Sequence, residues 1–552
     1  MPRTLPPARS LCLTLLAGGC YQIAGFDELG FADLAVDGGP DGGCREDEDC
    51  PAAACAVARC QAGECISAPA ADGTTCSAWG ADVCSGGRCV AERYQWARLL
   101  GDGNAAPGRG VTQVATAVAA DAAGGAVVVG EAFGRVDFGD AVRTSHDGAG
   151  PDAFVVRLDA QGMTAWSRLL GDEHKQSASS VAVDASGIVV AGSFAGRFEA
   201  VGGCCQSAPS GQTEPSPGWR RTMMPSTDVF VAKLTPAGEW IYARSFGDGA
   251  EQLALGVAVD DGGRAAVVGA FEGTAKFGAT VLESAGQADA FVAMLDPFGH
   301  PVWAKALGGQ GQQHASAVAI DTARNLVVCG SFTGTMDEAP RGTGAGLPLA
   351  AAGGSNFDVF VVKLSPDGDV LWARRFGDTA SQQAHAVAVS EMDEVVVVGE
   401  MAGAIEVGKK TLQSAGGSGD AFVLRLGADG SPDAERSRSF GDLHHQVARA
   451  VAVDGSDNVV VAGSFAGVLD FGGRILSSPF GDEDIFLAKL GPELVPLYAY
   501  RFGELGVQVG QALALAGSQV LLAGYLEGAV SLGGPVLVSG GDKDAFVARY
   551  GP

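Results

Sequence analysis

The sequence predicts an all-β chain: a seven-bladed β-propeller with a small disulfide-rich N-terminal module. Two observations carry the propeller. An Asp-x-Phe motif opening an apolar run occurs seven times, at Asp152, Asp228, Asp289, Asp358, Asp420, Asp484 and Asp544. Around each copy lie four short β-branched runs punctuated by Gly, Pro and Asp, the signature of strands and hairpins, and no copy offers a useful helical stretch. The module rests on a third observation: eight cysteines crowd between residues 44 and 89.

Composition excludes some alternatives. Of 552 residues, 37 are Lys or Arg and 64 are Asp or Glu, a net charge of -27. A binder of phosphates neutralises them with Lys and Arg, so nucleic acid and anionic headgroups are poor partners. With 47% hydrophobic residues the chain is no disordered polyelectrolyte, and its 83 glycines show no collagen period.

Residues 1–19 read as an export signal: Arg3 and Arg9, then an apolar run from Leu11 to Ala17, then small residues. The run Leu16-Ala17-Gly18-Gly19-Cys20 resembles a bacterial lipoprotein signal, which implies lipid attachment at Cys20. It departs from that pattern in placing Leu four residues before Cys instead of three. The resemblance implies an outer-membrane or cell-surface address, with plain secretion as the alternative. Residues 20–43 end in Gly, Pro and Asp from Asp33 to Gly43 and read as a flexible stalk. A calcium loop fits less well, because the three Asp lack alternate spacing and a closing Glu.

The eight cysteines are Cys44, Cys50, Cys55, Cys60, Cys65, Cys76, Cys84 and Cys89. In an exported chain an even set this dense reads as four disulfides in a module too small for its own core. A zinc site fits worse, since the segment holds no His. Pairing stays open. The tail from Gly73-Thr74-Thr75-Cys76 to Gly86-Gly87-Arg88-Cys89 resembles EGF-like or disintegrin-like knots.

The repeats occupy 94–552. One copy runs Val181-Ala182-Val183-Asp184, then Ile188–Phe194, then Asp228–Leu234, then Trp240–Arg244. Longer intervals come from inserts at about 199–225 and 336–356. A basic residue follows the Asp by five places in six copies, Met294 being the exception. Blades crowd near the axis, where the first strand is Ala and Val, and splay toward the rim, where Trp166, Trp303 and Trp372 are expected to fill the wedge. The chain ends after a third strand, and a spare strand, 95–100, precedes the first blade. It is expected to pair beside 544–550 and close the ring. Val-Ala-Val-Asp, Val-Ala-Gly-Ser-Phe, Asp-Ala-Phe-Val and Trp-Ala-Arg, recurring in order, resemble the bacterial seven-bladed β-propeller (SBBP-type) repeat family. That family implies exported or surface proteins and supplies no shared catalytic residues.

Residues repeated in every blade are scaffold, because a single site on a ring must break its symmetry. The Asp of Asp-x-Phe reads as a turn former. A Gln recurs seven times (Gln113, Gln176, Gln252, Gln313, Gln382, Gln446, Gln508) and reads as a loop tie on the way from rim to axis, with a ligand-binding ring of amides as the alternative. Between that Gln and the strand the polar residues vary. His314, His385, Arg449 and Gln511 are the candidate ligand-binding residues, with Ser316 and Gln383 beside them and His444 and His445 slightly outside. No catalytic elbow, zinc helix or phosphate loop appears, so no metal, cofactor or catalytic residue is expected. The turn before Trp166 and the adjacent Cys204 and Cys205 resemble features of quinoprotein dehydrogenases, without the full motif. Neighbouring Cα atoms about 3.8 Å apart would strain a bond between those two cysteines. Cys329 reads as a buried apolar residue. The expected function is non-catalytic binding or scaffolding of a protein or glycan at the cell surface. The alternative is a propeller enzyme, a quinone-dependent dehydrogenase or a hydrolase.

Overall fold

The computed structural model describes residues 56–61, 64–69, 82–85, 88–91, 93–101, 111–146, 150–172, 174–195, 226–339, 347–416, 418–478, 481–540 and 542–551. Residues 1–55, with Cys20, Cys44, Cys50 and Cys55, lie outside that set, as do Cys76 and the 199–225 insert with Cys204 and Cys205. The chain divides into two units, 1–70 and 71–552, so the division falls inside the segment read above as one cysteine-rich module. The first unit contains a hairpin, Ala56–Gln61 with Glu64–Pro69. The second contains a hairpin, Asp82–Ser85 with Arg88–Ala91, and the repeats.

The repeats form seven antiparallel sheets, each built on four strands that we letter a to d from axis to rim. Blade 1 comprises Thr112–Ala120, Ala126–Phe133, Asp152–Leu158 and Thr164–Leu170. The a strands of blades 2 to 7 are Gln176–Asp184, Gln252–Val259, Gln313–Ile320, Gln382–Val389, Gln446–Val453 and Gln508–Ala516. Each touches the next, and the seventh touches the first. Seven apolar clusters each span two adjacent blades, so the core is divided among the blade interfaces. This explains why b and c strands such as Val395–Met401 and Asp420–Leu426 are apolar on both faces. The d strand of blade 7 is Tyr94–Leu100, hydrogen-bonded to Asp544–Tyr550 with Ala97 opposite Ala548 and Trp96 opposite Arg549.

The connections between b and c, read from sequence as loops, are more regular than that. Among the described residues six blades carry an extra short hairpin there, for example Thr274–Phe277 with Thr280–Glu283. Their apolar residues lie at the rim: Phe277 stacks 5.0 Å from Phe246 of the preceding blade and 5.2 Å from Phe291 of its own. Part of the insert at 336–356 is also strand. Thr335–Ala339 joins the outer edge of blade 3, setting Ala339 opposite Ala306, and so protects that edge.

At the rim the d-strand indoles latch one blade to the next. The Nε1 atoms of Trp96, Trp166 and Trp303 donate to the carbonyls of Ala160, Pro236 and Pro366, all at 3.0 Å, and that of Trp372 donates to Ala428 at 3.1 Å. Each indole lies on a turn glycine. At Gly430, φ is +76° and a Cβ would stand 2.6 Å from Trp372, so both backbone and contact require glycine.

The basic residue after Asp-x-Phe answers a carboxylate in the a–b turn: Arg157 with Asp121, Lys233 with Asp184, Lys363 with Asp321 and Lys489 with Asp454. Blade 3 has Met294 at that place, and its Asp260 pairs instead with Arg264 at 2.8 Å. Blade 5 has Ser390 where the Asp would stand, and the buried Arg425 reaches Glu394 and Asp457, each at 2.7 Å. Blade 7 has Ala516 there, and Arg549 bonds Gln519 and the carbonyl of Gly124 in blade 1.

Trp372→Ala is expected to cost about 3–5 kcal/mol, the usual loss for a buried large aromatic. Trp96→Ala removes the same latch from the blade whose outer strand is not covalently continuous with it. It is expected to lower the urea midpoint further than Trp372→Ala does. Equal midpoints would show that the seam is no weaker than the other blade interfaces.

Candidate functional site

The recurring Gln is used up by the scaffold. Gln446 is fully buried within its a strand, not in a connection before it; its Oε1 accepts from Asp442 N at 3.3 Å, and its Nε2 donates to Asp442 Oδ1 at 2.7 Å and Ala466 O at 2.9 Å. Gln176 and Gln382 repeat the pattern. These amides tie the incoming loop and are not presented to a ligand. The Asp of Asp-x-Phe does comparable work, accepting from the loop before it: Asp420 Oδ2 takes Ala415 N at 2.7 Å. Burial pushes the Asp152, Asp289, Asp358, Asp420 and Asp484 carboxyls up from the usual carboxylate range.

Three residues after each Gln the a strand bulges. Pairing with strand b skips Thr116, Ser179, Leu255, Ser316, His385, Arg449 and Gln511, one per blade. A bulge leaves one residue unpaired and re-aims its side chain. All seven are partly exposed. An a strand is covered by strand b along one edge and by neighbouring blades on its faces, so solvent reaches it only from the axial channel. The bulge positions are therefore set around the channel, although Thr116 turns its hydroxyl to Val129 O and to Ala178 O of the next blade. Three candidates, His385, Arg449 and Gln511, hold the same position in successive blades. His314 differs: it follows the Gln directly, its ring lies 5.9 Å from Phe357, and burial pushes its pKa down. The exposed His444 bonds Asp442 at 3.1 Å.

Beside this ring, between blades 5 and 6, lies a charged cluster. His445 Nε2 meets Glu400 Oε2 at 2.8 Å, and its Nδ1 meets Glu483 Oε1 at 3.0 Å. Ser464 Oγ donates to Glu483 Oε2 at 3.0 Å. His385 Nε2 stands 3.6 Å from Glu400 Oε1, beyond hydrogen-bond length. Hydrogen bonds donated to Glu400 and then Glu483 push His445 up to about 9. Burial opposes ionisation of Glu400, but the bond from His445 and the nearby His385 ring outweigh it and hold that carboxyl at about 2. Glu483 is also lowered, first by His445 and less by the field of Arg449. At neutral pH His445 is thus an imidazolium between two carboxylates. It serves as a clamp, not as a base or metal ligand, and Ser464 has only a weakly basic carboxylate beside it. Among the described residues no group of three or more His, Cys, Asp or Glu is arranged to hold a metal.

Sequence reasoning missed Glu400 and Glu483 and placed His445 outside the site. One signal was available. Glu400 stands where Val-Ala-Gly-Ser-Phe has Ser193, Ser331 and Ser464. Ser193 and Ser331 Oγ each accept a backbone N–H of the next blade, from Ala254 and Ala384, both at 3.1 Å. Glu400 turns that cross-blade bond into an ion pair. At the opposite end of the channel, the a–b turns of blades 7, 1 and 2 border a depression of about 540 Å³ lined mainly by Ala and Gly, with Asp121 and Asp184.

The clamp has a definite pH signature. The folded chain holds the His445 proton more tightly than the unfolded chain does, so its contribution is complete below about pH 6.5 and lost as pH rises through about 9. The Tm gap between the parent and His445→Gln is therefore expected to be wide at pH 6 and to narrow by pH 10. An unchanged gap would contradict the ionised clamp.

No family model matches the chain. An uncharacterized WD repeat-containing protein of Acanthamoeba polyphaga mimivirus is 29% identical over 114 residues, which are 21% of this chain and 8% of that protein. The chain thus spans a small fraction of the curated relative it matches. The WD40 domain of Neurospora crassa Pan2 aligns with 79% of this chain and 89% of its own, at 10% identity and TM-score 0.38. A Dyadobacter fermentans protein of unknown function aligns over 83% of this chain and 99% of its own, at 11% identity and TM-score 0.34.

Proposed function

We infer that the chain is an exported binding or scaffold protein of the cell surface that engages its ligand at the mouth of the propeller channel. In this reading residues 1–19 are removed and Cys20 carries lipid. Residues 20–43 hold the body away from the membrane, 44–89 form a disulfide-rich module, and 94–552 present the channel to a protein or glycan. The disulfide at Cys60 supports an oxidising destination. So does the register that sets Cys60 opposite Cys65 and Cys84 opposite Cys89.

One observation carries the binding role. The Gln, the Asp-x-Phe motif and the strand glycines recur in all seven blades, yet the bulge position holds Thr, Ser, Leu, Ser, His, Arg and Gln in turn. A position fixed by packing repeats with the fold, whereas recognition of one molecule by a ring calls for unlike side chains at equivalent places. His445 is held as an imidazolium and Ser464 bonds a carboxylate of lowered basicity, so the site favours binding over hydrolysis.

The test is retention of envelope components by the full-length protein and by Ser316→Trp, which places an indole in the channel at a bulge position. Components retained by the parent and lost from the folded variant, at unchanged Tm, are expected. Retention indifferent to the substitution would remove the mouth from the function.

A further inference from the structure

The ring contains one cation, Arg449, and the chain gives it no partner. Its Nε is buried without an acceptor, and among the described residues Arg449 makes no hydrogen bond or ion pair. This is unusual in a protein of net charge -27, where a guanidinium can readily find a carboxylate. Glu483 is close enough for Arg449 to lower its pKa, but its oxygens are bonded to His445 and Ser464. Desolvating a guanidinium without a partner is costly, and such groups in a solvent-accessible recess are anion receptors in waiting. The neighbours in the ring suit the task. One blade away His385 Nε2 makes no hydrogen bond and stands 3.6 Å from Glu400 Oε1, and the Gln511 amide occupies the same bulge position on the other side.

We propose that Arg449, flanked by His385 and Gln511, binds the carboxylate of a small monoanionic ligand at the channel mouth. The charge of the ligand follows from local balance. Glu400 and Glu483 offset His445 and Arg449, so that the cluster carries two negative and two positive charges and is neutral before the ligand enters. A single added negative charge is tolerated beside a fork of donors. A phosphate dianion or a polyanionic chain meets the two carboxylates and the negative field of the whole protein. The ring hydroxyls of Ser179 and Ser316 offer bonds to a hydroxylated body behind the carboxylate.

The inference rests on the channel-mouth reading above, and its test is separable from it. Titration of the full-length protein with gluconate is expected to show saturable binding, while the neutral polyol glucitol, inorganic phosphate and sulfate bind at least tenfold more weakly. Arg449→Gln is expected to weaken gluconate binding by about 10- to 100-fold, the loss of one charge-assisted contact. Arg449→Lys should keep part of it. Because Arg449 makes no hydrogen bond or ion pair in the protein and its desolvation is costly, Arg449→Gln should leave Tm at or above that of the parent, so lost binding would not be lost folding. Absence of gluconate binding, gluconate binding untouched by Arg449→Gln, or equal binding of glucitol overturns the carboxylate assignment. If the Ser316→Trp comparison still shows a retained component, only the ligand class has failed. If it does not, the mouth itself has failed.

Discussion

The structure depends on closing a ring whose last blade is assembled from both ends of the repeat region. In the other six blades strand d follows strand c through a short turn. In the seventh, Tyr94–Leu100 is held to Asp544–Tyr550 only by backbone hydrogen bonds and packing. The seam is correspondingly rich in large side chains. Tyr550 is fully buried, and its hydroxyl donates to Leu532 O at 2.9 Å. Its ring stacks 5.5 Å from Phe502 and 6.4 Å from Tyr500, and meets Tyr94 edge-on at 6.4 Å. With Tyr498, which lies under Arg93, four of the seven tyrosines gather here. Aromatic residues contribute much buried area per side chain, and this joint has no covalent link to supplement it.

Once closed, the ring lets each interface be solved separately. The ion pair between the c strand and the a–b turn is kept by several different residue sets. Where blade 3 lacks the cation, Arg264 supplies one from the turn itself, and where blade 5 lacks the Asp, Arg425 turns to Glu394 and Asp457. A cation with its stem buried between blades needs an acceptor, and the sequence varies only in where that acceptor comes from. Arg449 stands out against this pattern, being a buried-sided guanidinium for which the fold supplies no such answer.

The propeller was readable because its signals are local and repeated. Asp-x-Phe, the turn glycines and the β-branched runs each report on a few neighbouring residues, and seven copies average out the irregularities. The b–c hairpins were not readable, since strands of three to five residues such as Arg135–Asp137 sit among Gly and polar residues and differ between blades. The site was half readable. His385, Arg449 and Gln511 stood out because they vary where their surroundings repeat. Glu400, His445 and Glu483 come from strand b of one blade and two loops of the next, and nothing in the linear order brings them together. The placement of the variable residues before the strand also failed, because the Gln already begins it and the bulge hides the alternation of faces.

Hydrogen exchange of the amides in 94–100 and 544–550 tests the closure most directly. In a ring fastened by this pairing, the ladder amides of Arg98 and Val547, which stand opposite each other, exchange as slowly as those of a covalently continuous c–d pair such as 358–364 with 370–376. Fast exchange confined to 94–100, with the remaining blades protected, would show that the strand does not seal the propeller and would contradict the account.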